Sequence, residues 1–236
     1  MRHRETSLNI QDKNKDSIDN LLNHISEVGD DHAGYSLETP TVDSAIAISD
    51  EKKIEAIAEK FGDIMDILGL DRADDSLQGT PLRVAKMYVQ EVFQGLNPKN
   101  KPEAKLFENK YRYNQMLVEK NIQFYSNCEH HFVPIFGKVH VAYVSSGKVI
   151  GLSKINRIVQ YFANRPQVQE RLTNQIALEL AEILDTKDIA VIVDAKHLCV
   201  ASRGIKDDSS ATVTSFYGGV FNTPQKIVEL QNYLKL

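Results

Sequence analysis

The sequence predicts an α+β domain built on an antiparallel sheet, with a helical segment ahead of it. Two observations carry this. Apolar residues at helical spacing and β-rich runs come in separate blocks, not in the strict alternation of βαβ units. The 236 residues, 42% of them hydrophobic, suffice for one catalytic domain of ordinary size.

Residues 1–48 are polar, with Tyr35 the one aromatic, and read as an N-terminal extension. Within them Ile18, Leu21, Leu22 and Ile25 follow helical spacing between a capping Ser17 and a terminating Gly29. The catalytic domain, 49–236, opens with a stripe of Ile54, Ile57, Ala58, Phe61, Ile64, Met65 and Leu68 that ends at Gly69, suited to a left-handed C′ position. Thr80-Pro81, a cap followed by proline, starts a second helix expected to run to Gly95. Segments 116–125 and 135–144 are β-like, and the second is expected to turn at Ser145-Ser146-Gly147-Lys148 into a hairpin with Val149-Ile150. Helical patterns follow at 153–164 and 166–184, divided by Arg165-Pro166. A buried strand at 189–194 leads to Lys196-His-Leu-Cys-Val200, and a β-rich tail and final helix close the chain. There is no internal repeat.

A net charge of −4 with 25% charged residues excludes the overall basic footprint of a nucleic-acid binder, so any anion site is local. Neither an apolar run of about 18 residues nor a secretory leader is present, which points to the cytosol with no membrane partner. Two cysteines, Cys128 and Cys199, are too few for a disulfide scaffold.

The stretch Asn127-Cys128-Glu129-His130-His131-Phe132 is the most informative. Cys-x-x-His lets one turn offer a thiolate and an imidazole to a single tetrahedral ion, a spacing favoured by zinc. His197-Leu198-Cys199 is the second half-site: on a strand, residues two apart face one side, so both side chains would enter one pocket. A Cys128–Cys199 disulfide is the competing reading, though it leaves the histidines unexplained. Spacing alone leaves a closed structural ion and an open catalytic one as equal alternatives.

Gly151-Leu-Ser-Lys-Ile-Asn-Arg157 joins a strand to a helix, with Ser153 able to cap and Lys154 and Arg157 sharing a face near the positive end of the helix dipole. This is a phosphate cradle or, more blandly, a solvated basic face. Arg83 and Arg203 add guanidinium groups suited to bidentate phosphate contacts. Glu170 lies off the Val168, Leu172, Ile176 stripe and reads on its own as a solvent-facing carboxylate.

Together, Cys-Glu-His-His, Gly-Leu-Ser-Lys-Ile-Asn-Arg, Arg-Pro-Gln-Val-Gln-Glu-Arg-Leu-Thr, His-Leu-Cys and the following Arg-Gly resemble, in order, the signature blocks of GTP cyclohydrolase I. The resemblance spans Ser49 to the C-terminus. It implies a tunnelling fold, an antiparallel sheet with helices packed on one face, whose sheets close into a barrel across subunits of a homodecamer. It implies that Cys128, His131 and Cys199 bind Zn2+ with the fourth position left to water, and that His130 and His197 move protons. Guanine is then read by Glu170 with help from Gln169. The triphosphate of the GTP substrate falls to Ser153, Lys154, Arg157 and Arg203, with Arg83 and Lys86 from a neighbouring subunit. The implied product is 7,8-dihydroneopterin triphosphate, with release of formate. The alternatives are another tunnelling-fold pterin or deazapurine enzyme, or a zinc-stabilised nucleotide-binding module without turnover.

Overall fold

A computed structural model describes residues 36–236, of which Leu37–Leu236 form one compact unit. The helix expected from Ser17 to Gly29 lies outside the described residues. A single helical turn, α1 (Asp43–Ile46), precedes α2 (Asp50–Ile67). Ser49 caps α2 by accepting from the Lys52 amide at 3.5 Å, and Asp50 and Glu51 place negative charge at the positive end of its dipole. Its end is closed by Gly69, left-handed at φ 76, with the Leu70 amide bonded back to Met65 O at 3.0 Å. Only part of the apolar stripe is covered: Met65 is buried, whereas Ile64 and Leu68 are 49% and 70% exposed.

The second helix differs from expectation. α3 spans Thr80–Met87 with Gly79 as its N-cap, so Thr80 lies inside the helix, where its hydroxyl accepts from Arg83 Nη2 at 2.9 Å. Beyond Met87 the chain widens into one π-helical turn, Tyr88–Val92, and then tightens into 3-10 turns, so no continuous helix reaches Gly95.

Seven strands follow. β1 (Leu106–Glu108) and β4 (Lys148–Ile150) form a small antiparallel pair. The main sheet has the order β5-β2-β3-β6-β7, from β2 (Met116–Cys128), β3 (Pro134–Val144), β5 (Pro166–Gln167), β6 (Ile189–His197) and β7 (Thr212–Tyr217). All its pairings are antiparallel except the short parallel contact of β5 with the end of β2. The expected hairpin between 135–144 and 149–150 is not formed. Both edges of β3 are already taken by β2 and β6, so β4 pairs with β1 instead.

Period-two alternation places Ile135, Val139, Val141 and Tyr143 of β3, with Val191, Val193 and Ala195 of β6, on one face. Against them pack α4 (Leu152–Ala163), through Ile155, Ile158 and Val159, and α5 (Gln169–Leu184), through Leu172, Ile176 and Leu180. The opposite face is partly covered by the C-terminal helix α7 (Pro224–Lys235), whose Leu230 joins Met116, Ala142, Ala190 and Phe221. The preceding helical turn, α6 (Leu198–Ala201), continues from the end of β6.

β2 contains a bulge between Glu119 and Ile122, where Asn121 adopts φ 62 and donates its amide to His140 Nδ1 at 3.3 Å. Burial holds the His140 imidazole below its ordinary pKa, partly opposed by Asp194 and reinforced by Lys138 and Lys120. A protonated ring also cannot accept from Asn121. The unfolded chain therefore binds the extra proton more readily, and the stability contributed by neutral His140 is complete above about pH 6.5 and falls on acidification. We expect the thermal midpoint of wild type to drop more between pH 7.5 and 5.5 than that of His140→Gln; equal drops in parallel calorimetry would remove His140 from the account.

Candidate metal centre and nucleotide site

The register of the central strands brings the two half-sites to one end of the sheet. Ser126 pairs with Ile135, and Ile135 with His197, so β2 and β6 finish side by side across β3. Cys128 and His197 both lie on the helix-covered face, two residues on from Ser126 and from Ala195 respectively.

The turn that carries Cys128 and His131 is closed by backbone bonds, Cys128 N to Val133 O at 2.9 Å and Phe132 N to Cys128 O at 2.8 Å. Asn127 Nδ2 adds a bond to Phe132 O at 3.2 Å. Phe132 takes φ 54, and its ring packs on Phe93 at 5.1 Å and Tyr88 at 6.4 Å. An aromatic anchor thus holds a left-handed residue directly after His131.

One expectation is corrected here. β6 ends at His197, so Cys199 does not share a strand face with it but sits in α6. The partner strand begins at Pro134, which has no N–H to offer the next rung, and the chain turns instead. Cys199 nevertheless reaches the cluster: one donor atom each from Cys128, His131 and Cys199 lie within 4.8 Å of one another. Cys128 Sγ is 3.9 Å from His131 Nδ1 and 3.8 Å from His130 Nδ1, and both thiols are free. Burial and the adjoining Cys128 push the Cys199 thiol above its ordinary pKa, while Arg203 draws it partly back. Arg203 Nη1 lies 2.8 Å from His131 Nε2. Two sulfurs and an imidazole nitrogen make a donor set able to hold a metal ion.

His197 is oriented by Gln169. The amide nitrogen of Gln169 faces Val193 O at 3.1 Å, Thr212 O at 2.9 Å and Thr214 Oγ1 at 3.1 Å, so its oxygen is the atom turned toward His197 Nε2 at 2.7 Å. That oxygen can only accept, which assigns the proton to Nε2. Burial holds His197 below its ordinary pKa, and the charge of nearby Glu170 opposes this. Gln169 itself is buried and fully engaged within the protein. Glu170, next to it, is exposed.

The cradle residues occupy the first turns of α4. Gly151 is the N-cap and no side chain caps this helix, so Ser153 does not cap as expected. Arg157 lines a hollow of ≈ 290 Å³ with Gln94, Asn100, Gln160 and Asn164. Arg83 donates to Ser76 O and Thr80 Oγ1, and Lys86 is exposed on α3. Among the described residues, no hydrogen bond or ion pair joins Ser153, Lys154, Arg157, Arg83 or Lys86 to the cluster.

Sequence reasoning missed Arg171. It is 2% exposed and forms an ion pair with Glu129, through Nη1 to Oε2 and Nη2 to Oε1, the latter at 3.4 Å. The available signal was its place one residue before Leu172 and four before Gln175, both buried on the same helix.

An α+β sheet domain of the tunnelling-fold type, with a two-thiol, one-imidazole cluster at the end of its central strands, is the class these features define. The family model for GTP cyclohydrolase I matches residues 57–233, and the chain belongs to that family. It is 57% identical over 212 residues to a protein of Flavobacterium johnsoniae named GTP cyclohydrolase 1, covering 90% of this chain and 95% of that one. Proteins of the same name from Aeromonas hydrophila and Escherichia coli K12 are 54% and 51% identical, across 79% and 80% of this chain and 85% of each relative. Among solved structures, the apo archaeosine synthase QueF-Like superposes on 44% of this chain and 95% of its own, at 16% identity and a TM-score of 0.38. No helix among the described residues is long and apolar enough to cross a membrane.

Replacing Gln169 by Ala leaves the carbonyls of Val193 and Thr212 without this donor in a buried setting. We expect a loss of about 1–3 kcal/mol in urea unfolding, and an unchanged midpoint would show the amide network to be dispensable.

Proposed function

We propose that this chain hydrolyses GTP to 7,8-dihydroneopterin triphosphate and formate, an early step in making tetrahydrofolate or another pterin, using Zn2+ at Cys128, His131 and Cys199. The convergence of those three side chains from two distant segments carries the reading. Tetrahedral zinc with bonds of about 2.0–2.3 Å needs donors roughly 3.3–3.8 Å apart, close to the 3.9 Å between Cys128 Sγ and His131 Nδ1. The donor set fits zinc. Bound there, the ion supplies Lewis acidity that makes a water-derived nucleophile available near neutral pH.

The remaining work falls to protein groups. Water adds at C8 of guanine and the imidazole ring opens to a formamide; a second water cleaves the formamide to formate and a free amine. Rearrangement of the ribose to a ketone and reclosure onto it, which expels one water, build the pterin. His197, kept neutral by burial, holds its Nε2 proton toward Gln169 and has Nδ1 to accept or return a proton. His130, within 3.8 Å of Cys128 Sγ, is the second proton carrier. Glu170 accepts two adjacent N–H groups from the guanine edge, with Gln169 acting by fixing His197 beside it. Ser153, Lys154, Arg157 and Arg203 take the triphosphate, whose charges cannot be buried unpaired. Arg83 and Lys86 serve the same end from a neighbouring subunit.

Two further features support a homo-oligomer, proposed to be a decamer with sites between subunits. Among the described residues, β2 is paired by β5 only at Asn127 and Cys128, which leaves the rest of that edge open, and β7 has no further strand beside it at the other side of the sheet. Exposed Ile67 at the end of α2, its C-cap Leu68, and Val213 on β7 add apolar surface for subunit contact. Residues 1–48 are proposed to be an extension that supplies no catalytic or ligand-binding group, although Leu37 onward belongs to the same compact unit as the sheet.

Purified protein given GTP should release formate and a product that becomes fluorescent on oxidation, and Cys199→Ser should lose both zinc and turnover. A Cys199→Ser protein that turns over without zinc would sink the metal assignment. Glu170→Gln should weaken the preference for GTP over ATP by at least tenfold in kcat/KM; an unaltered preference would place base reading elsewhere.

A further inference from the structure

The first turn of α5 carries an unusual load of buried polar chemistry, with Gln169, Arg171 and Thr173 all at most 2% exposed. Burying a guanidinium is strongly unfavourable unless a carboxylate meets it. Glu129, which meets Arg171, stands between Cys128 and His130, and its amide donates to Gln167 O at 3.0 Å. From the same helical turn, Gln169 grips His197 and the adjoining strands β6 and β7. Thr173 Oγ1 fastens this side, at 2.8 Å from Gln169 O and 2.6 Å from Thr214 Oγ1. One turn of helix therefore holds both halves of the cluster: the Cys128–His131 turn through Arg171 and the His197–Cys199 segment through Gln169.

We propose that Arg171 is a positioning residue, whose ion pair with Glu129 sets the separation of the two half-sites and thereby the metal affinity of the centre. The inference rests on reading Cys128, His131 and Cys199 as metal ligands. Arg171 is proposed to act through Glu129 and not on the ligands directly. It acts by fixing the backbone of Glu129 against α5, so that the Cys128 and His131 donors stand at the distance Cys199 requires. Loss of an outer partner of this kind typically weakens metal binding about 10–100-fold. A role in packing alone would lower stability and leave affinity untouched.

The test uses the full chain, stripped of metal and titrated with Zn2+ against a chelating dye, and with Co2+ to follow the thiolate-to-metal absorption band. Arg171→Met, Arg171→Lys and Glu129→Gln are compared with Leu172→Ala, which removes core contacts next in sequence without touching the ion pair. We expect Zn2+ affinity to fall about 10–100-fold in Arg171→Met and Glu129→Gln. Arg171→Lys, which keeps the charge but not the two-pronged contact, should recover part of the loss. Leu172→Ala should lower the thermal midpoint of the metal-free protein with affinity unchanged. Affinities of the ion-pair variants that stay at the wild-type value, or fall only as far as that of Leu172→Ala, overturn the proposal. Should Arg171→Met fail to fold, Glu129→Gln and Arg171→Lys decide it. Wild type that binds no Zn2+ overturns the ligand assignment itself, an outcome separate from wild type that binds while the variants bind equally well.

Discussion

The antiparallel register of β3 with its two neighbours is the constraint on which the site depends. Ile135 is paired on one side with Ser126 and on the other with His197, so segments some 70 positions apart in sequence finish at the same edge of the sheet. Alternation along each strand then decides which side of the sheet every late residue faces. Pro134 ends the ladder at that rung, and the turn it imposes delivers Cys199 from a helical segment. The cluster is thus brought together by pairing that is already satisfied by an apolar core, which leaves its fine spacing to local contacts such as those of Gln169 and Arg171.

Polar groups near the cluster follow a division of labour. Those that orient others are buried: Gln169, Arg171 and Thr173 lie beneath the surface with their partners inside the protein. Those proposed to meet substrate are accessible, as Glu170, Arg157 and Arg203 are. Both kinds occur within a single turn of α5, where Glu170 is exposed between buried Gln169 and Arg171, because neighbouring residues on a helix point about 100° apart. A chain segment of five residues can in this way serve both framework and ligand.

Much of this was legible beforehand, and the failures have physical causes. The blocks around Cys128, Ser153 and His197 are local, and local chemistry at short spacing shows directly in sequence. Helix α2 was legible through its apolar stripe and its Gly69 stop, signals carried by local spacing and by backbone geometry. The hairpin was misjudged because the turn residues 145–148 do form a turn, yet whether flanking strands pair depends on which edges are free. The one-face argument for His197 and Cys199 failed because β6 stops at His197, opposite the proline that opens β3, although Cys199 still reaches Cys128 and His131 from the helical turn that follows. The role of Arg171 was hidden for a similar reason: nothing near it in sequence announces a carboxylate 42 positions upstream.

The bulge at Asn121 has a consequence for how this chain can vary. The extra residue reverses the in-and-out phase of β2 partway along, so that Met116 and Val118 face the C-terminal helix while Ile122, Phe124 and Cys128 face the opposite layer. Deleting one of the two bulged residues, Lys120 or Asn121, would leave a single residue opposite His140 and restore regular pairing, with Ile122, Phe124 and Cys128 still on their present face. Among the described residues of this strand, the bulge is therefore the one place that absorbs a one-residue loss locally; between it and Cys128, a single insertion or deletion without a second bulge turns every later residue to the other side.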